Sequence, residues 1–300
     1  MELEDLVSKY PPRRMMLIPL TIIVLAFISL GATYLSTGSP LHLGAEFTGG
    51  TLVTIPAIDS EQAVKDKLAG YPLVDLSNMG NQYQIQFGPM STSDYNNLVK
   101  LINSQYQNAG IQYMGPVYSQ ELQAEALKYI PISFILMAIV VFLVFREPVI
   151  SLMVVGCALA DILTAAASMN ITGVSLSLGT VAALLMLIGY SVDTNILLSM
   201  RVLKRKGTTD EKIVGAMTTG FMMTGTTIVA VLALLIVSNV LYIIPSSSFS
   251  RINIIADIST VLIFGLIADI FNTWITNAQG LRWYMSRPGK KAAAAGRRKK

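Results

Sequence analysis

The chain has 300 residues, of which 53% are hydrophobic and only 13% are charged, and its formal net charge is +4. Soluble domains carry about 25% charged residues, so this composition excludes a soluble globule and indicates a polytopic membrane protein. The basic residues flank apolar runs and are not interleaved with aromatic residues. Attraction to anionic membrane lipids therefore explains them better than nucleic-acid binding does.

Cysteine and histidine each occur once, as Cys157 and His42. A lone cysteine inside an apolar run provides no disulfide framework. A lone histidine without cysteine or acidic neighbours at ligand spacing does not indicate a metal site. The sequence predicts neither a metal nor a cofactor.

The first apolar run follows a short polar lead of residues 1–14. Met15–Leu35 is just long enough to cross about 30 Å of hydrocarbon. It is followed by no small-x-small cleavage site, so it predicts an uncleaved first membrane helix over residues 15–36.

Residues 37–125 change to soluble character, rich in Asn, Gln, Ser and Tyr. Asp59 or Ser60 is expected to begin a first helix, and residues 91–93 a second. The predicted elements alternate as β-α-β-β-α-β, the order of a ferredoxin-like α+β domain. They are Thr51–Ile55, Glu61–Ala69, Leu73–Leu76, Gln82–Phe87, Tyr95–Ala109 and Ile111–Tyr118.

Residues 126–281 contain five further apolar runs, which gives six transmembrane helices in total. These runs are Leu127–Phe145, Val149–Met169, Val174–Met200, Ala216–Val240 and Ile254–Ala278, and a basic tail of residues 282–300 follows them. Arg and Lys concentrate in alternate loops, so the positive-inside rule places both termini in the cytoplasm and residues 37–125 outside.

Three acidic residues are predicted to lie within spans: Asp161, Asp193 and Asp269. Asp193 precedes Arg201 by eight residues, which on a helix is about 12 Å. An intramembrane carboxylate costs on the order of 3 kcal/mol and typically serves an ion path. Similar depth on three helices predicts one polar seam and a proton relay, with interhelical hydrogen bonding as the alternative. Asn195, two positions from Asp193, should not share its helix face.

Gly44–Thr51, with the sequence GAEFTGGT, superficially resembles a phosphate-binding loop. It lacks the terminal Lys-Ser/Thr pair and lies on the predicted outer side, so we reject nucleotide binding. Gly49 and Gly50 are expected to supply backbone freedom between the first helix and the first strand.

Three motifs together resemble the SecD/SecF family of protein-export membrane proteins, on its SecF side, within the resistance-nodulation-division superfamily. The first comprises Gly44, Glu46, Phe47, Thr48, Gly49, Gly50 and Thr51; the second is GYSVDTNILLSMR, beginning with Gly189, Tyr190 and Ser191; the third is ADIL in the third span. Glu46 stands where the family usually has Asp, and Asp193 lies one residue earlier than the acid of bacterial SecF. The sixth span is similar to archaeal members.

The resemblance implies an accessory of the Sec translocon that works with a SecD-like subunit and the translocon channel on unfolded secretory polypeptides. It also implies a multi-pass protein of the cytoplasmic membrane that uses the proton gradient in late export. A single six-helix unit is half of a two-unit transporter fold, so a partner is expected on architectural grounds as well.

Three other functions compete with this one. A passive scaffold would stabilise the translocon without proton coupling, and a stand-alone exporter would need a second six-helix unit. An intramembrane aspartyl protease would need a Gly-x-Gly-Asp element, which neither Gly189–Asp193 nor Gly265–Asp269 supplies. The sequence therefore does not predict an enzyme.

Overall fold

The computed structural model describes residues 17–78, 82–107, 109–240 and 253–286. The first described helix, α1, spans Leu17–Thr37, and it is mostly exposed apart from residues such as Ala26 and Thr33. A short helix, α2 (Ala45–Thr48), follows within the GAEFTGGT segment.

A four-stranded antiparallel sheet comes next in the chain, with strand order β2-β3-β1-β4. Its elements, which we call the sheet unit, follow the predicted order: β1 (Gly50–Pro56), α3 (Glu61–Lys67), β2 (Leu73–Asn78), β3 (Gln82–Phe87), α4 (Thr92–Gln105) and β4 (Gly110–Met114). Ser60 rather than Asp59 begins α3, since its hydroxyl accepts a hydrogen bond from the Ala63 amide at 3.4 Å.

One face of the sheet and the two helices enclose a separate apolar core. Alternate strand residues such as Val53 and Ile85 are fully buried, as are Leu98 and Ile102 on one side of α4. This alternation is the period-2 pattern of a strand with one covered face.

The helix α5 (Pro116–Phe145) begins well before the predicted second span. Residues 116–118 were predicted as the end of a strand, but β4 ends at Met114. Gly115 is the N-cap and Pro116 occupies the first helical position, where its missing amide proton costs no hydrogen bond. The final segment of the predicted 37–125 region therefore belongs to a membrane-type helix.

Three further helices and one interrupted helix complete the membrane part. They are α6 (Pro148–Thr172), α7 (Leu178–Lys204), α8 (Thr209–Val240), and α9 (Asn253–Phe271), which continues through a π-helical segment (Asn272–Asn277) into α10 (Ala278–Met285). Within the described ranges, six helices are long and apolar enough to cross a membrane, as predicted. The helices α6, α7 and α9 pack on one another at the centre, whereas α1, α5 and α8 contact that centre from outside.

The predicted tail begins later than residue 282, because α10 continues to Met285. Arg282 donates to a carboxylate oxygen of Asp210 at 2.6 and 2.8 Å, and the Tyr284 hydroxyl donates to Glu147 at 2.7 Å. These bonds tie the last turns to α8 and to the α5–α6 turn. The predicted lead, most of the 78–81 turn, most of the 241–253 loop and the rest of the tail lie outside the described residues.

Candidate functional site in the membrane helices

Asp161 lies on α6 and is completely buried. Its Oδ2 accepts a hydrogen bond from the Ser191 hydroxyl of α7 at 2.5 Å, and its Oδ1 accepts one from the Asn272 side-chain amide at 2.6 Å. The carboxyl group thus joins three central helices. A buried carboxyl group needs such donors, because an unpaired one in a dry interior costs several kcal/mol.

Asp269, on α9, is also completely buried and close enough to Asp161 for the two carboxyl groups to interact. Its Oδ1 accepts from the Thr273 hydroxyl at 2.9 Å. Its Oδ2 is buried with no hydrogen-bond partner among the described residues.

The π-helical segment places a second amide beside α7. The Asn277 side-chain amide donates to Asn195 Oδ1 at 2.6 Å, and the Asn195 amide donates to the Ser191 carbonyl at 2.8 Å. A π-helical hydrogen bond spans five residues, and Asn272 and Asn277 are five residues apart, so both amides reach the helix interface. We call the connected set the buried polar cluster: Asp161, Ser191, Asn195, Asp269, Asn272, Thr273 and Asn277.

A cavity of about 330 Å³ lies beside this cluster, between α1, α6 and the π-helical segment. Asn272 and Asn277 line it, opposite small residues of α6 such as Gly156 and Ala160. The Asn277 Oδ1 and the Thr276 hydroxyl are buried without a hydrogen-bond partner in the described structure. The exposed lining of the cavity is almost wholly apolar, so the cavity itself offers few polar partners to water.

Asp193 is not part of the buried polar cluster. It is exposed on the outward face of α7, the face that also carries Met186 (46% exposed) and Tyr190 (40% exposed). Asn195 is completely buried on the other side of the helix, as the sequence predicted. The single polar seam expected of Asp161, Asp193 and Asp269 is therefore divided, because residues 191 and 195 face the bundle while residue 193 does not.

The predicted motif residues are divided in the same way. Ser191 belongs to the buried polar cluster, whereas Gly189 and Tyr190 lie on the exposed face with Asp193. The residues of the GAEFTGGT segment lie at the junction of the sheet unit with α5 and α7, away from the carboxyl pair.

Sequence reasoning missed the amide and hydroxyl members of the cluster on the sixth helix. Asp269 is followed three and four residues later by Asn272 and Thr273, and these are followed four residues later by Thr276 and Asn277. That spacing marks one polar helix face and could have identified them. The π-helical turn that aligns residues 272 and 277 has no comparable signal in the sequence.

This fold and this site define a multi-pass α-helical membrane protein with a polar interior and a small sheet unit. A family model described as "Protein export membrane protein SecD/SecF, C-terminal" matches residues 94–287. The chain belongs to the SecD/SecF family of protein-export membrane proteins.

Its relatives include proteins that are similar over nearly their whole length. The SecF protein of Methanolacinia petrolearia is 42% identical over 285 residues, which is 95% of this chain and 98% of that protein. The SecF protein of Pyrococcus furiosus is 39% identical over 296 residues, and the match covers 95% of this chain and 95% of that protein.

The fold is also that of a solved structure. The crystal structure of SecDF, a translocon-associated membrane protein from Thermus thermophilus, matches with a TM-score of 0.74 at 19% identity over 95% of this chain. The present chain spans 40% of the length of that SecDF chain.

Proposed function

We propose that the protein is an accessory subunit of the Sec protein translocase. It acts with a SecD-like partner chain at the translocon channel and promotes late stages of the export of unfolded polypeptides across the cytoplasmic membrane. The observation that carries this proposal is family membership over nearly the full length of relatives named as protein-export membrane proteins.

The exposed face around Asp193 supports a partner chain within the membrane. A carboxylate left on a lipid-facing helix surface costs on the order of 3 kcal/mol. Asp193 lies on such a surface of the isolated chain, beside the exposed side chain of Tyr190. A second set of helices that covers this face removes the carboxylate from lipid. The solved SecDF chain is long enough to hold a second unit of that size, since this chain matches only 40% of it.

The proposal includes proton coupling through Asp193, Asp161 and Asp269. Two of these acids act inside the chain, and the third acts at its surface. Asp161 and Asp269 form a carboxyl pair within one chain, beside the 330 Å³ cavity. Asp193 lies on the face that the partner would cover. Two ionised carboxylates at close range in a low-dielectric interior repel each other strongly, so the pair holds a proton and releases it when water or a partner group approaches.

The proposal also assigns each part of the chain to a side of the membrane. The region of residues 37–125, with the sheet unit as a ferredoxin-like domain, lies outside and contacts emerging polypeptide. Residues 1–14 and 282–300 lie in the cytoplasm, and membrane lipids surround α1, α5 and the other exposed helices. The sheet order β2-β3-β1-β4 and the β-α-β-β-α-β element order support the domain assignment.

Export into vesicles that contain the native SecD-like partner tests this function. Wild type should export more with a proton gradient than without one. Asp193→Asn and Asp161→Asn, which nearly preserve volume, should lose that gain while Asp193→Glu keeps part of it. A passive scaffold predicts instead that export is indifferent to the gradient and to these variants. Failure to co-purify a SecD-like chain in mild detergent would contradict the partnership.

A further inference from the structure

The GAEFTGGT segment connects the sheet unit to α5 and α7, and the proposed function does not explain this connection. We call the contacts of Leu43, Gly44 and Glu46 with Leu176 and Leu178 the joint. The backbone just before that segment pairs with the loop that precedes α7. The Gly44 amide donates to the Leu176 carbonyl at 2.9 Å, and the Leu176 amide donates to the His42 carbonyl at 2.7 Å. Leu43 and Leu176 thus form an isolated parallel bridge. A side chain at Gly44 would lie 2.9 Å from the Leu176 carbonyl oxygen, so only glycine permits this approach.

Glu46 makes the contact with α7 itself. Its Oε2 accepts a hydrogen bond from the amide of Leu178, the first residue of that helix, at 2.5 Å. The first amides of a helix have no partner within it, and a negative charge there is favourable. Ser177 and Thr180 satisfy other groups of this turn through a capping box, and Glu46 supplies the acceptor that the box lacks.

The same segment is attached rigidly on its other side. Phe47 is 2% exposed, and its carbonyl accepts a hydrogen bond from the Gln123 amide of α5. Gly49 and Gly50 have φ values of 76° and 114° and turn the chain directly into β1. A Cβ at Gly50 would lie 2.0 Å from the Phe87 carbonyl oxygen of β3, so the start of β1 is held tightly against the sheet.

We propose that Glu46 is a positioning residue that fastens the sheet unit to the first turn of α7. Displacement of the sheet unit is transmitted through α2 and the Glu46 carboxylate to α7. This helix carries Asp193 on one face and Ser191 and Asn195 on the other. The inference rests on the proposed function for its role in export, but the joint itself is testable without export.

Hydrogen exchange of the whole protein in detergent tests the joint. Glu46→Ala should accelerate exchange of the amides at 178–180 by roughly five- to tenfold, the effect of losing a helix cap, and leave β3 unchanged. Glu46→Asp keeps a carboxylate and should restore most of the protection. The matched control is Glu61→Ala, which removes an exposed carboxylate that pairs with Lys65 within the sheet unit. Unchanged exchange at 178–180 in Glu46→Ala would overturn the inference.

A cross-link separates the mechanical role from other roles of the carboxylate. In a Cys157→Ser background, Leu43→Cys and Leu176→Cys place a disulfide across the parallel bridge. Oxidation should return gradient-dependent export to Glu46→Ala, and reduction should remove it again. If Glu46→Ala exports as well as wild type while Asp193→Asn does not, the joint is dispensable and the inference fails although the proposed function stands. If wild type shows no gradient-dependent export, the proposed function fails and the exchange experiment decides the joint alone.

Discussion

Asp193 and Asn195 lie two residues apart on α7 and face opposite sides of it. Asn195 is completely buried and accepts a hydrogen bond from Asn277 at 2.6 Å, whereas Asp193 is exposed on the surface of the isolated chain. The same helix therefore presents a buried amide to the bundle and a carboxylate to the surface of the chain. Substitutions at the two positions should have different consequences.

Asn195→Ala should destabilise the isolated protein, while Asp193→Ala should not. The first change leaves the buried Asn277 amide without its acceptor, which costs about 1–3 kcal/mol. The second removes an exposed side chain and should shift the midpoint of thermal unfolding by less than the experimental error. Thermal unfolding in detergent, followed by circular dichroism, measures both. Equal shifts would contradict the division of α7 into two faces.

Gly220→Ala should destabilise the contact between α8 and the π-helical segment. A Cβ at Gly220 would lie 2.1 Å from Trp274 Cζ2, and Trp274 is 3% exposed and stacked on Phe221. Overpacking of this kind costs about 1–3 kcal/mol. Gly225→Ala is the matched control on the same helix, because no atom lies within 4 Å of its added Cβ. The melting temperature and the near-ultraviolet tryptophan signal should change only in the first variant.

Acid should weaken the sheet unit through Asp59. The hydrogen bond from Lys67 at 2.7 Å, and then that from the Tyr106 hydroxyl at 2.8 Å, hold the pKa of Asp59 below its ordinary value. A lowered folded pKa gives stability that is present above the unfolded value of about 4. That stability is lost as the pH falls through the lower folded value.

The difference in unfolding midpoint between wild type and Asp59→Asn should therefore shrink as the pH falls from 6 to about 2. Tyr106→Phe removes one of the two donors and brings the folded pKa of Asp59 closer to its unfolded value, so the loss should be smaller and should be complete at a higher pH. A difference that stays constant over this range would show that the charge of Asp59 does not stabilise the unit.

Cysteine labelling tests the membrane topology. In a Cys157→Ser background, Ser104→Cys on α4 should react with an impermeant thiol reagent added outside intact cells, and Ser286→Cys should not. Both positions are exposed in the structure, so access to the membrane side decides the result. Labelling of Ser286→Cys in intact cells would reverse the proposed topology.

Much of the fold was predictable because it depends on local patterns. Long apolar runs predicted six membrane helices, and alternation at Tyr83, Ile85 and Phe87 predicted β3. Boundaries were less accurate where a single residue redirects the chain: Pro116 starts α5 earlier than hydropathy indicates, since the first turns of that helix are polar. Similarly, α10 outlasts its apolar run because Arg282 and Tyr284 bond to distant elements.

Hydropathy and charge are properties of the chain taken residue by residue, so the amino-acid order was enough to predict the six apolar spans and the acids within them. Which of these acids lie close together depends on how the helices pack. Asp161 and Asp269 are 108 positions apart and become neighbours only through the packing of α6 against α9, and the π-helical turn adds Asn272 and Asn277. The rotation of α7 that buries Ser191 and Asn195 and exposes Asp193 depends on which faces its neighbours cover. That choice arises from contacts between helices, which no local pattern encodes.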